Sequence, residues 1–534
     1  MLAVSFSKLG LGLSALSIVL SADLAYAAEP LPSSDAALRF KFVGNETISS
    51  DELSRALGEL HPSELTQTRL SEIEDQIFSI YADKGLVGTA RVADQVIENG
   101  TLLIGVDEGR LASIEVVAPE GLRLSKDRIA RVASKELEIG GVVEVAALEK
   151  AISRLDSYAG ISSKILLRPG SSSKEIGALV DVSSAKLANG RVQLDNLGAE
   201  ASGAERLTAN LELNSLLRLG EQSSVGFTAS EHSSLAMADF ILPVVDTGVS
   251  ISASLRYSSY DIPNEVIPSQ IFEGFKGDAT SIYLKASPVD ISVGDWTFSP
   301  AIELARTTAR DDLSFTEARL NSVDKEINYL SLPITASFEA PASLLAVSAN
   351  VALDFGEVDY RNAQNAQRDT FTTRAAGDYK RLRFDSRVQK GLSPTQAVTV
   401  SISGQLATAN LDRTQEFLIA GPTAVRGYDV GLFSVDEAVV LKADLTQAIN
   451  KALSLFVFAD TGYGTTHTRN FESDVAPSGA PNSFRLSSVG FGANLTFLGS
   501  LVLNIQLSKA IGGCTPCLPG TDTGQVWAVL SGTF

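Results

Sequence analysis

The sequence predicts a mainly β protein: a transmembrane antiparallel β-barrel of about 16 strands, preceded by two small α+β units of β-α-α-β-β order. Three observations predict it. The N-terminus has the layout of an export signal. One succession of strand and helix periodicities occurs twice before Lys186. From about Asn189 to Phe534, apolar and polar residues alternate with period 2. At 534 residues the chain exceeds an ordinary domain of about 100–150 residues, so several units are expected.

Residues 1–27 read as a secretory signal peptide. Lys8 precedes the apolar run Leu9 to Leu20, and Ala25-Tyr26-Ala27 supplies the small-x-small site, so cleavage is expected between Ala27 and Ala28. An uncleaved anchor helix is the alternative, disfavoured by the short apolar core. Elsewhere no apolar stretch approaches the roughly 18–20 residues of a membrane-spanning helix. Lys and Arg total 44 against 63 Asp and Glu, and the resulting charge of −19 has the wrong sign for nucleic-acid binding. A hydrophobic content of 44% argues against wholesale disorder.

Residues 28–37 form a short Pro- and Ser-rich linker. The first unit, residues 38–110, opens with the alternating run Leu38-Arg-Phe-Lys-Phe-Val-Gly44, a strand. Ser49 or Ser50 then caps a helix carrying Leu53, Leu57 and Leu60. A second helix follows Thr66, with Leu70, Ile73, Ile77 and Tyr81 on one face, and stops at Lys84-Gly85. Strands Val87 to Ile97 and Leu102 to Val106 flank an Asn99-Gly100 turn. The second unit, residues 111–186, repeats the order: a strand from Ala112 to Val117, helices from Ser125 to Ala133 and Val145 to Tyr158, then strands Ser163 to Leu167 and Gly177 to Val182.

Residues 189–534 carry the barrel signature. Val249, Ile251, Ala253, Leu255 and Tyr257 alternate with serines and Arg256, and Leu345 to Phe355, Val398 to Leu406 and Val489 to Phe497 repeat the pattern. A soluble sandwich with one wet face is the competing reading, but such alternation sustained through one long domain favours a barrel in lipid. At about 20–22 residues per strand and connector, about 16 strands fit. Cys514 and Cys517 lie two residues apart in Gly-Gly-Cys-Thr-Pro-Cys-Leu-Pro-Gly. In an oxidising compartment a local disulfide is expected; two unpaired thiols is the other reading. No cofactor or metal is expected, because His61, His232 and His467 are scattered and no Gly-x-x-x-x-Gly-Lys-Ser/Thr occurs. The same scatter leaves no Ser-His-Asp set, so no enzymatic activity is expected.

These residues resemble the two-partner secretion transporters (TpsB proteins) of the outer-membrane barrel assembly superfamily. Tyr81, Lys84-Gly85, Arg91-Val92, Gly100, Glu108 and Gly109 resemble the family's first polypeptide-transport-associated (POTRA) domain, and Gly160, Leu167 and Pro169-Gly170 its second. Asp195-Asn196-Leu197-Gly198, then Ser202-Gly203 and Arg206, are similar to the motif at the start of the family's barrel. Gly421-Pro-Thr-Ala-Val425-Arg426-Gly427-Tyr428 resembles the tip of the long sixth loop, which in this superfamily folds back into the lumen. Phe456-Val-Phe458-Ala-Asp460-Thr-Gly462 resembles the inner-wall strand whose acidic residue receives that arginine. From the residues alone, the favoured reading of Arg426 is a solvated loop residue and of Asp460 a lumen or turn residue; the pairing is what the resemblance implies.

The resemblance implies a transporter in the bacterial outer membrane, POTRA domains in the periplasm, that passes an unfolded partner exoprotein, adhesin or haemolysin in type, through its barrel. It implies contact with outer-membrane lipid, and the alternating C-terminus ending at Phe534 implies delivery by the barrel insertion machinery. A barrel-assembly insertase is the nearest rival and a small-solute porin or receptor a further one. The resemblance omits one part: residues 28–37 are too few for the family's plug helix of about 20 residues, so closure of the resting pore is expected to fall to the sixth loop.

Overall fold

The computed structural model describes residues 2–3, 37–92, 100–172, 174–244, 247–263, 272–315, 322–469, 482–512 and 524–534. Ala27, Ala28, Asn99, Cys514 and Cys517 lie outside the described residues, and with them the expected cleavage site, the first unit's hairpin turn and the disulfide. The chain divides into an N-terminal unit, residues 1–185 with 217–220, and a C-terminal unit comprising the rest.

In the N-terminal unit the repeated order is realised twice. The first module contains β1 (Arg39–Val43), α1 (Ser50–Leu57), α2 (Gln67–Asp83), β2 (Gly88–Val92) and β3 (Thr101–Glu108). Ser49 and Thr66 cap the two helices through their hydroxyls, as Ser and Thr do when the first backbone N–H groups lack partners. β1 lies parallel to β3, and β2 antiparallel to it, which makes β3 the centre of the sheet. Leu53, Ile73, Ile77 and Tyr81 from the helices bury against Phe42, Leu102 and Ile104 from the sheet. The second module repeats this with β4 (Arg110–Val117), α3 (Lys126–Glu136), α4 (Val145–Asp156), β5 (Ile161–Pro169) and β6 (Glu175–Ser184), with Leu2 and Ala3 paired on the outer edge of β5.

The two modules are joined by backbone rather than by a loose linker. Val87 N–H donates to Val143 O, Val145 N–H to Gly85 O and Val143 N–H to Gly109 O, at 2.8–3.1 Å. Gly109 sits at the closest approach, where a Cβ would fall 2.2 Å from Ile176 Cδ1.

Sixteen antiparallel strands form the closed barrel of the C-terminal unit. They are β7 (Ala188–Asp195), β8 (Arg206–Asn214), β9 (Gln222–Ala229), β10 (Ser233–Pro243), β11 (Ser250–Pro263), β12 (Phe272–Ser287), β13 (Ile302–Phe315), β14 (Val323–Ala340), β15 (Leu345–Tyr360), β16 (Gly377–Ser393), β17 (Gln396–Ala407), β18 (Glu437–Ala448), β19 (Leu453–Thr465), β20 (Ser483–Phe497), β21 (Leu501–Ala510) and β22 (Gln525–Thr533). A short hairpin, Ile291–Val293 with Trp296–Pro300, extends β12 and β13 at their near end, the end at which β7 begins. β13 breaks at Ala301 for a chemical reason. Its N–H donates to Pro333 O, but Pro333 has no N–H to return, so the ladder loses a rung there.

The alternation is inverted relative to a soluble protein. On β15, Val351, Leu353 and Phe355 are exposed on the outside while Asp354 between them is fully buried toward the lumen. Only lipid makes that arrangement favourable. Near the near end of the wall, Trp296 packs on Phe338 with ring centroids 5.2 Å apart, an aromatic pair of the kind that marks a membrane–water boundary. Closure joins β22 to β7 through five residue pairs, Val529↔Asp195 to Thr533↔Arg191. Beyond the last pair the side chain of Asn196 continues the ladder: its amide donates to Val526 O and its carbonyl accepts from Ala528 N–H, both at 2.7 Å.

Candidate functional site: the loop tip inside the barrel

The connection from β17 to β18, residues 408–436, is the sixth on the far side of the barrel, and it turns back into the lumen. Gly421 starts the tip with φ +113°, a conformation that L side chains rarely adopt. Val425 and Tyr428 are then buried in a cluster with Ile419, Val435, Val440 and Leu486. Between them Arg426, only 4% exposed, reaches the wall.

The contact is bidentate. Arg426 Nε donates to Asp460 Oδ2 at 2.9 Å and Nη2 to Asp460 Oδ1 at 2.6 Å, and the Arg426 backbone N–H donates to the same carboxylate at 3.1 Å. This planar fork-to-fork geometry is what guanidinium and carboxylate do best, because both charges and both directions match. Ser488 Oγ donates to Asp460 Oδ2 at 3.0 Å. Three successive inward positions of β19 divide the work by period 2: the Phe458 ring lies under the guanidinium with its centroid 3.5 Å from Cζ, Asp460 takes the charge, and Gly462 leaves the space that Val425 fills. Gly427 has the same meaning on the loop side. A Cβ there would meet Ala510 N and Ser488 Cβ at 2.7 Å, so no side chain fits between tip and wall.

Sequence reasoning named Val425, Arg426, Gly427, Tyr428, Phe458, Asp460 and Gly462, and the structure brings all seven together. It missed the rest of the site. Asp444 on β18 is a second carboxylate for Arg426, at 2.7 Å from Nη1. The Arg426 carbonyl accepts from Ser508 Oγ at 2.6 Å and from Trp527 Nε1 at 2.8 Å, so the arginine is held at both its backbone polar groups as well as its head. Lys442 Nζ donates to the carbonyls of Pro422 and Thr423 at 3.3 Å. The available signal for Trp527 was its parity on β22, opposite to that of the alternating apolar residues Val526, Ala528 and Leu530.

A second anchor grips the base of the loop on the opposite stretch of wall. Lys325 of β14, buried in the lumen, bridges Asp311 at 3.3 Å and Asp412 at 3.0 Å. Arg381 of β16 donates to Gln415 O at 2.7 Å while pairing with the buried Asp354, which Arg383 also engages. At the rim Asn410 donates to Thr373 O and accepts from Arg469 N–H, tying the loop to two neighbouring far-side connections. Among the described residues no group of three or more His, Cys, Asp or Glu is placed to hold a metal ion.

Three comparisons with known proteins bear on this architecture. The family "Haemolysin secretion/activation protein ShlB/FhaC/HecB" matches residues 178–495, and "POTRA domain, ShlB-type" matches residues 38–109. A curated relative, the heme/hemopexin transporter protein HuxB of Haemophilus influenzae, is 23% identical over 511 residues, covering 92% of this chain and 85% of its own. Among solved structures, CdiB from Escherichia coli is similar with a TM-score of 0.69 at 17% identity, covering 93% of this chain and 91% of that one. CdiB from Acinetobacter baumannii gives 0.62 at 13% identity, over 94% and 91%. The two CdiB likenesses carry the fold.

Proposed function

Because the chain belongs to the haemolysin secretion/activation family ShlB/FhaC/HecB, it is an outer-membrane transporter of two-partner secretion with its POTRA modules in the periplasm, and we propose that the loop tip on the barrel wall is the latch its cargo displaces. The family implies a secreted exoprotein as partner. We infer that this partner arrives unfolded, as a large adhesin- or haemolysin-type chain, and is received by the modules at residues 38–110 and 111–186. An insertase of other barrels is not favoured.

The observation that carries the latch is the bidentate Arg426–Asp460 contact at 2.6 and 2.9 Å, buried away from the pore water. A fully satisfied pair holds the loop, yet a displacing chain need not leave either charge dry, because an opened lumen is wet and screens both. Cargo entry therefore lowers the cost of opening the lock. No nucleotide is required for this step; folding of the exoprotein outside supplies the direction.

The test is electrical. In planar bilayers, Arg426→Ala is expected to raise the open probability of the purified full-length transporter, because the tip loses its charged hold and Asp460 is left buried and unpaired, at a cost of about 3–5 kcal/mol in a dry site. Conductance traces indistinguishable from the unaltered protein would show that the tip does not restrain the pore.

A further inference from the structure

The outer surface of the barrel carries a groove of about 760 Å³ across strands β12 to β16. Two rows of in-register residues line it. The row toward the middle of the wall is Leu284, Leu304, Leu330, Phe355 and Lys380; the next row toward the far end is Ile282, Arg306, Asn328, Glu357 and Asp378. Below the first row the outward positions stay apolar, as with Leu332, Ile334, Leu353 and Val351. The groove thus sits where the lipid-facing surface changes from hydrocarbon to charge. With the modules in the periplasm, the far end belongs to the outer leaflet.

The charges there are not a closed set of ion pairs. Arg306 and Arg361 both donate to Glu326 Oε2, at 2.9 and 3.0 Å, so two guanidiniums share one carboxylate oxygen, with Asp359 opposite Glu326 in the register. Asn328 occupies the other oxygen of Glu326. Lys380 makes no salt bridge among the described residues; its ammonium lies 5.9 Å from the Phe355 ring centroid. Beside these cations, Glu357 and Asp378 stand directly opposite each other on adjacent strands. Like charges in that relation repel, and a bridging cation relieves the repulsion.

We propose that this groove binds a phosphorylated glycolipid of the outer leaflet, lipopolysaccharide, with acyl chains along Leu284, Leu304, Leu330 and Phe355. Its phosphates meet Arg306, Arg361 and Lys380, and a divalent cation bridges the same headgroup to Glu357 and Asp378. The mixed signs select this occupant. A singly charged phospholipid uses the basic side alone and leaves the two carboxylates facing each other, whereas a polyanionic headgroup carrying divalent cations satisfies both. The proposal rests on the outer-membrane location and not on the loop latch, so it stands or falls independently of the transport mechanism.

Native mass spectrometry of the purified full-length protein with hexa-acylated Kdo2-lipid A and magnesium tests it. Retention of the lipid is expected to fall at least tenfold in Arg306→Ala/Lys380→Ala and to remain unchanged in Arg485→Ala, an exposed arginine on β20 away from the groove. Glu357→Gln/Asp378→Asn is expected to abolish the magnesium dependence of retention. If the double alanine variant fails to insert, the unaltered protein decides the matter: dephosphorylated lipid A should be retained at least tenfold less than the phosphorylated form. Equal retention of Kdo2-lipid A and phosphatidylglycerol, of the phosphorylated and dephosphorylated forms, or of the lipid by folded double variant and unaltered protein, would overturn the proposal.

Discussion

At the scale of single residues, the chain spends its buried charge where loops must be held. Glu108, at the end of β3, accepts from the Thr47 N–H and hydroxyl at 2.7 Å each and from the Tyr81 hydroxyl at 2.8 Å. Burial pushes its carboxyl up, but the donations from Thr47 and Tyr81 outweigh burial, and it titrates below the usual carboxylate range. Burial, together with the same contact, drives the Tyr81 phenol well above its ordinary value. A depressed carboxyl stabilises the folded state at any pH above its unfolded value of about 4.3, and that stabilisation disappears as pH falls through the folded value. Hydrogen-exchange protection factors across residues 39–58 of the full-length protein, with rates normalised to the intrinsic rate at each pH, are therefore expected to fall on acidification below about pH 4.3. Glu108→Gln should lower these protection factors already at neutral pH, by the equivalent of about 1–3 kcal/mol, and flatten their acid dependence. An unchanged acid profile in Glu108→Gln would assign the effect to another group. Glu108 itself was legible only as part of a family motif, because the partner hydroxyls lie 27 and 61 residues away in sequence.

At the scale of elements, the strands were legible from the residues themselves, the loop tip only through the resemblance, and the base of the loop not at all. Period 2 requires nothing but the chemistry of a two-faced wall, so β15 and β20 could be read from Leu345 to Phe355 and Val489 to Phe497 before any contact was known. The helices of the two modules announced themselves by caps at Ser49, Thr66 and Ser125. The second anchor of the sixth loop had no such signal: Lys325 and Asp412 are 87 residues apart, and only the register of β13 against β14 puts Asp311 beside them. The anchor makes its own prediction. Lys325→Met leaves the buried Asp412 and the partly exposed Asp311 without their cation, a cost of about 3–5 kcal/mol less whatever lumen water screens. Proteolytic nicking within residues 408–416 of the surface-exposed protein should increase, while the tip around Arg426 keeps its own hold. Protection of that segment equal to the unaltered protein would mean that Arg381 and Asn410 suffice to hold the base.

At the scale of the whole molecule, the proposed transport divides labour between periplasmic modules that receive the exoprotein and a wall that conducts it. A chain lacking Leu38 to Lys186 is expected to insert and conduct ions, since all sixteen strands and the closing seam lie beyond that point, and to secrete no exoprotein; normal secretion by it would place recognition in the barrel. The barrel's size followed from dividing sequence by strand length, and its identity followed from the order of motifs. The pairing of Arg426 with Asp460 came from resemblance rather than periodicity, because a lumen carboxylate can meet any inward cation and Asp444 competes for the same guanidinium. The central claim is that this one contact couples loop position to transport, and a double-mutant cycle on exoprotein secretion tests it most directly. With surface levels of the barrel matched, Arg426→Ala and Asp460→Ala should each reduce secretion, the double alanine variant should lose far less than the product of the two, and Arg426→Asp with Asp460→Arg should recover part of the loss. Strictly multiplicative defects, with no recovery on charge exchange, would contradict the account.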